Sequence, residues 1–176
     1  LLNRSSDLRL PGRDRVQRLH VSELAKLLRV DPSVERQPQS VSEVAGIRLD
    51  IVSFLSLGNV RISGYWLHWV DATPRPLVIT SHGYGCQCQP RWDWARRGVN
   101  VFAVDIRGFG ISAGALPHPS RWGYVVTGID APETSVIRLA VCDYVQAARV
   151  AKQLLMASAT GMMFEGVSFA GGLALM

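Results

Sequence analysis

The sequence predicts an α/β fold, with a mostly parallel sheet, crossover helices and an antiparallel hairpin at its N-terminal end. Three observations carry that reading. The segments PLVITSH (76–82), NVFAVDIRG (100–108) and GMMFEGVSF (161–169) are near-continuous apolar runs, each followed by a polar, glycine-containing stretch. Runs of that kind suit strands buried on both faces of a sheet. Helical patterns separate them, and strand–helix alternation at this spacing implies parallel strands joined by crossovers. Upstream, two segments of mostly period-2 alternation are joined by a short glycine turn, which marks a hairpin.

Taken in order, the elements begin with a short helix that Ser22 can cap, with Leu24, Leu27 and Leu28 on one face. DPSVERQPQSVSE (31–43), with Pro32, Pro38 and few apolar residues, reads as a linker. Residues 1–46 are accordingly read as a basic leader, short helix and linker, and residues 47–176 as the folded domain. IRLDIVSF opens that domain at Ile47, LGN (57–59) turns, and VRISGYWLHWV returns, giving a hairpin expected at the sheet edge. RWDWARRG (91–98) reads as a short helix closed by Gly98. Asp130, with Pro132 and Glu133 behind it, is a cap signal for the next helix. Its apolar face would hold Ile137, Ala140, Val141, Tyr144, Ala148, Ala151 and Leu155, with Arg138, Gln146, Arg149 and Gln153 on another.

Composition bounds the function classes. Of 176 residues, 48% are hydrophobic and 19% charged, ordinary values for one globular domain. No apolar run approaches the roughly 18 residues of a membrane span, and no secretory leader pattern is visible. The formal net charge is +5, and Arg4, Arg9, Arg13, Arg15 and Arg18 concentrate it near the N-terminus. That charge would suit a nucleic-acid or membrane surface, but no aromatic residue is interleaved for base stacking and the stretch reads as a solvated leader, so neither partner is expected. Cys86, Cys88 and Cys142 are an odd set that makes no disulfide framework. Cys86-Gln87-Cys88 resembles half a metal site but has no second pair at zinc spacing, so neither metal nor cofactor is expected. Reduced thiols fit a cytoplasmic protein.

Three loops follow the carboxyl ends of the predicted parallel strands, where open α/β sheets bind ligands. They are HGYG (82–85), DIRGFGIS (105–112) and GVSFAGG (166–172). In the last, Ser168 has Gly166 before it and Ala170 after it, small residues at the positions a nucleophile elbow crowds. A serine that attacks an acyl carbon needs donors for the oxyanion that forms. The backbone N–H of Phe169 and that of Tyr84 are the candidates, with Gly83 allowing close backbone approach. His82 is read as shaping its loop rather than as a base, and Asp105 and Arg107 as locking neighbouring loops by charge-assisted hydrogen bonds. His20, His68 and His118 lack an acidic companion in sequence and are read as surface or packing histidines.

GNVRISGYW, PLVITSHGYG, VFAVDIRGFGIS, TGIDAPET followed by Arg138 and Asp143, and GVSFAGG stand together in an order that resembles the acetyl xylan esterase/cephalosporin C deacetylase family of α/β-hydrolases. The likeness runs from about residue 47 to the end and corresponds to the N-terminal half of such a hydrolase. It implies a serine esterase that removes acetyl groups from acetylated sugars or similar small esters, with Ser168 as nucleophile and Tyr84 and Phe169 supplying the oxyanion hole. It also implies that Tyr84 borders the acyl pocket, and that the protein is a cytoplasmic homo-oligomer, commonly a hexamer. Phe109 and Phe169 stand where the family typically has glutamine, and Ser135, Val136 and Ile137 replace an aromatic run. These departures bear on the substrate more than on the reaction class.

Such hydrolases carry the serine first and then the acid and the base. Residues Phe169 to Met176 include no acid and no histidine. The expectation is therefore a fragment, truncated just after the elbow, whose serine is a weak nucleophile and whose incomplete sheet exposes apolar surface. Two other readings stand beside it: another serine α/β-hydrolase of dienelactone-hydrolase or peptidase type, and a non-catalytic binding protein that keeps the half-fold.

Overall fold

The computed structural model describes residues 22, 24–40, 42–155 and 159–176. The arginine-rich stretch 1–20 and His20 lie outside the described residues. Six strands form one mixed sheet: β1 (Glu35–Pro38), β2 (Ile47–Ser56), β3 (Val60–Trp69), β4 (Arg75–Thr80), β5 (Asn100–Asp105) and β6 (Ala159–Glu165). Their spatial order is β1-β2-β3-β5-β4-β6. The first four in that row meet antiparallel, whereas β5, β4 and β6 run parallel, as the apolar runs predict.

Helices cover both faces. α1 (Trp92–Ala95) lies over Ile47, Leu49, Leu67, Val78 and Val101 on one side. α2 (Val136–Leu154) and α3 (Phe169–Leu175) lie over Phe54, Ile62, Leu77, Ile79, Phe102 and Val104 on the other. Trp66, Phe54 and Phe102 are fully buried and meet edge-on or tilted, with ring centroids 5.7–6.0 Å apart. Burial of this kind, worth about 25 cal/mol per Å2 of apolar surface, holds the hairpin to the parallel strands.

Several expectations need correction. The segment read as a linker contains β1, so the β2–β3 hairpin is not at the sheet edge. Glu35, Arg36, Gln37 and Pro38 are all exposed. They are held by ladder pairing to β2 and by the Arg36–Asp50 ion pair, neither of which leaves an apolar periodicity to read. β6 is not a buried strand: it pairs with β4 and leaves Met162, Met163 and Phe164 more than a third exposed. The helix expected to begin at Asp130 begins at Val136. Gly128, at φ +67°, turns the chain there, and the Thr134 hydroxyl donates to the Gly128 carbonyl, closing a loop that precedes the helix. Gln146, placed on the outer helix face, is fully buried and donates to the Leu55 carbonyl. Of the three leucines of the first helical turn, Leu27 alone is buried. Arg149 donates to its carbonyl and so ties that turn to α2.

Candidate active site

The parallel strands β4, β5 and β6 deliver their C-terminal loops to one end of the sheet, and every predicted site residue lies in those loops or at the strand and helix ends that border them. Ser168 comes three residues after the end of β6 and has φ 57° and ψ −119°, a conformation that L residues rarely adopt. It is exposed, its carbonyl accepts from the Gly172 amide, and α3 starts at the next residue. A sharp strand–serine–helix turn costs roughly 1–3 kcal/mol of backbone strain, which the surrounding contacts must hold in place. Gly166 explains how the turn closes: a Cβ there would lie 2.7 Å from Ala170 Cβ and 2.5 Å from its carbonyl carbon. Ala170 in turn is fully buried.

The loop after β4 carries His82, Gly83 and Tyr84. His82 is 5% exposed, and its Nδ1 lies 2.9 Å from the Gly83 carbonyl. A carbonyl only accepts, so Nδ1 is the donor in this contact. Nε2 has no partner within hydrogen-bond reach and stands 3.9 Å from Asp105 Oδ1. Gly83 is not crowded: a Cβ would meet only Cys86 Sγ, at 4.0 Å. The left-handed residue of this loop is Gly85. Tyr84 is half exposed.

Asp105 and Arg107 sit under the loops as buried locks. Asp105 Oδ1 accepts the Cys88 amide at 2.6 Å and Oδ2 the Ile111 amide at 3.0 Å, so one carboxylate joins the loops after β4 and β5. Arg107 donates from Nε and Nη2 to the two oxygens of Asp143, at 2.8 and 2.7 Å, and from Nη2 to the Leu57 carbonyl at 3.0 Å. Burial opposes the guanidinium charge, but the Asp143 bonds outweigh it and raise the Arg107 pKa. The Cys88 thiol pKa is pushed well up, first by burial and then by Asp105, which disfavours the thiolate.

The decisive comparison is of sequence: a model of the acetyl xylan esterase family (AXE1) matches residues 16–176. The chain belongs to the acetyl xylan esterase family. The match begins upstream of the resemblance read from motifs and takes in β1. Among solved structures, an acetyl xylan esterase 1 from Thermoanaerobacterium sp. is 23% identical with a TM-score of 0.80, covering 90% of this chain and 52% of that one. An acetyl xylan esterase from Paenibacillus sp. is 20% identical with a TM-score of 0.72, covering 92% and 52%. These likenesses give the α/β-hydrolase fold, and this chain spans about half the length of the structures it matches.

Within this family chain, sequence reasoning missed a wall of aromatic rings beside the elbow. Tyr84, Phe109, Tyr124 and Phe169 come from four separate segments and meet with centroids 4.5–6.4 Å apart. Tyr124 is anchored by its hydroxyl, which donates to the Arg107 carbonyl at 2.9 Å. Phe109 also meets the His82 ring, tilted, with centroids 4.7 Å apart. The only sequence signal was the pair of phenylalanines at 109 and 169. His68 needed correcting too: its Nε2 lies 3.5 Å from Asp50 Oδ2, a buried acidic companion brought alongside by the β2–β3 pairing. His118 is exposed. Among the described residues no group of three or more His, Cys, Asp or Glu could hold a metal, and no helix is long and apolar enough to cross a membrane.

Proposed function

We propose that this chain carries the nucleophile half of a serine carboxylic-ester hydrolase that removes acetyl groups from acetylated sugars or similar small esters. The observation that carries the reading is the strained backbone of Ser168 at the strand–helix turn, held by the Gly166–Ala170 contact. Such a turn costs stability and presents the hydroxyl to solvent, which a merely structural turn has no need to do. Family membership supports the reaction class.

In this reading Ser168 Oγ attacks the acyl carbon while a general base takes its proton. The carbonyl oxygen becomes an oxyanion that accepts from the N–H groups of Tyr84 and Phe169. Its collapse expels the alcohol and leaves an acetyl ester on Ser168, which water then hydrolyses. In this reading His82 shapes the oxyanion loop and is not the base: its Nδ1 meets the Gly83 carbonyl, its ring packs on Phe109, and its buried Nε2 makes no hydrogen bond to Ser168 or any other group. The rings of Tyr84 and Phe169, 5.8 Å apart, bound the acyl side and favour a short acyl group.

The test is active-site labelling of the natural full-length gene product with a fluorophosphonate, followed by rates on acetyl and longer acyl esters. Labelling at Ser168 that disappears in Ser168→Ala, with acetyl esters preferred, is expected. A protein that takes no label while remaining folded would refute the reading and leave the half-fold as a binding surface.

A further inference from the structure

The loop that holds Tyr84 and the elbow that holds Ser168 leave the sheet from adjacent strand ends, and the structure ties those ends together from both faces. β4 and β6 run parallel, and their last registered pair is Thr80 with Glu165. Beyond that pair the chains fork, one into 81–91 and the other into the elbow.

On the α1 face, Glu165 Oε2 accepts from the Thr80 hydroxyl at 2.6 Å and from Arg91 Nη1 at 3.3 Å. Arg91 closes the oxyanion loop just before α1, where its Nε and Nη2 also hold both oxygens of Asp93, each at 2.9 Å. On the α2 face, the Tyr144 hydroxyl lies 3.0 Å from both the Ile79 and the Glu165 carbonyls. One phenolic proton thus serves the two carbonyls on which the ladder runs out. Tyr144 is 2% exposed, and burial raises its pKa, so the phenol stays a donor.

We infer that Glu165 is a positioning residue that, with Thr80, Arg91 and Tyr144, fixes the spacing between the Ser168 elbow and the Tyr84 loop. The inference rests on the proposed cooperation of those two loops in ester hydrolysis. The carboxylate suits the task because both of its partners are donors. A hydrogen bond to a charged acceptor is about twice as strong as a neutral one. Glutamine would keep an acceptor for Thr80 but lose the charge that draws Arg91. A displacement on the order of 1 Å between a nucleophile and its oxyanion donors costs up to about a hundredfold in rate.

The experiment compares Glu165→Gln, Arg91→Gln and the double variant with wild type, all in the natural full-length protein. Three quantities are read: kcat and KM with the fluorophosphonate labelling rate of Ser168, the thermal midpoint, and amide hydrogen exchange across 82–86 and 166–170. Each single variant is expected to lower kcat and the labelling rate roughly tenfold with KM little changed. The double variant should be no slower than either single one, with exchange faster in both segments together. Additive losses, a rate loss that only tracks the thermal midpoint, or faster exchange in one segment alone would overturn the inference. Exchange needs no chemistry, so it decides the clamp even if Ser168 takes no label, an outcome that would refute the esterase reading instead.

Discussion

Arg107 and Asp143 form a two-point ion pair sealed from water, with side chains 4% and 0% exposed. The pair joins the loop after β5 to the middle of α2, and the Arg107 amide donates to the same carboxylate at 3.1 Å. Removing one partner leaves a buried charge alone, which costs about 3–5 kcal/mol. Asp143→Ala should therefore lose most of the stability of a domain this size, read as a lower urea midpoint. The paired replacement Arg107→Met/Asp143→Leu should recover a large part of it, because apolar groups leave no charge to solvate. A double variant as unstable as the single one would show that the bonds to Leu57 and the Arg107 amide matter more than the pair.

Two glycines of the elbow should respond in opposite directions to the same change. At Gly166 an added methyl group meets Ala170, whereas at Gly172 it meets nothing within 4 Å. Gly166→Ala should cost about 1–3 kcal/mol through overpacking and disturb the Ser168 turn. Gly172→Ala, inside α3, should gain up to about 1 kcal/mol from helix propensity. Thermal midpoints of the two variants, measured side by side, check the pair. A neutral Gly166→Ala would mean that the elbow relaxes freely.

What could be read from the sequence was whatever a local pattern encodes. The runs at 76–82 and 100–108 announce strands because burial on both faces demands unbroken apolar residues, and β4 and β5 lie there. Gly166, Ser168 and Ala170 were legible because steric crowding at the elbow acts within five residues. β1 was not, since an exposed edge strand is held by backbone pairing and needs no apolar signal. The start of α2 was misread because Asp130, Pro132 and Glu133 imitate a cap, while the turn through Gly128 and Thr134 decides the boundary. The link from Arg91 to Glu165 spans 74 residues, and the aromatic wall assembles four segments. Neither exists until the sheet brings the loops together.

His68 should make stability fall on mild acidification. Burial is the larger influence and lowers its pKa, with Asp50 partly offsetting it and Arg36 reinforcing it. The unfolded chain, with an ordinary histidine pKa near about 6.5, then binds the proton more readily than the folded one. Stability is accordingly full above that value and declines as pH falls toward the lowered folded pKa. Urea midpoints between about pH 7.5 and 5.5 should show the decline, and His68→Gln should flatten it. An unchanged slope in His68→Gln would assign the decline to other groups.

β6 should govern self-association of the 176-residue chain. Its one ladder partner among the described residues is β4, and Met162, Met163 and Phe164 are 39%, 45% and 37% exposed. An edge strand with apolar side chains offers both unpaired backbone groups and a greasy surface to a second copy. Met163→Lys places a charge where such pairing would bury it, at a cost large enough to disfavour the stacked form. Trp122→Lys removes a more exposed ring, 77% accessible, at the opposite end of the chemistry of association: on a loop, with no strand edge beside it. Light scattering at matched concentration should therefore fall for Met163→Lys and change little for Trp122→Lys. Should the loop substitution be the one that restores a monodisperse chain, the exposed Trp122 ring, and not the sheet edge, drives association.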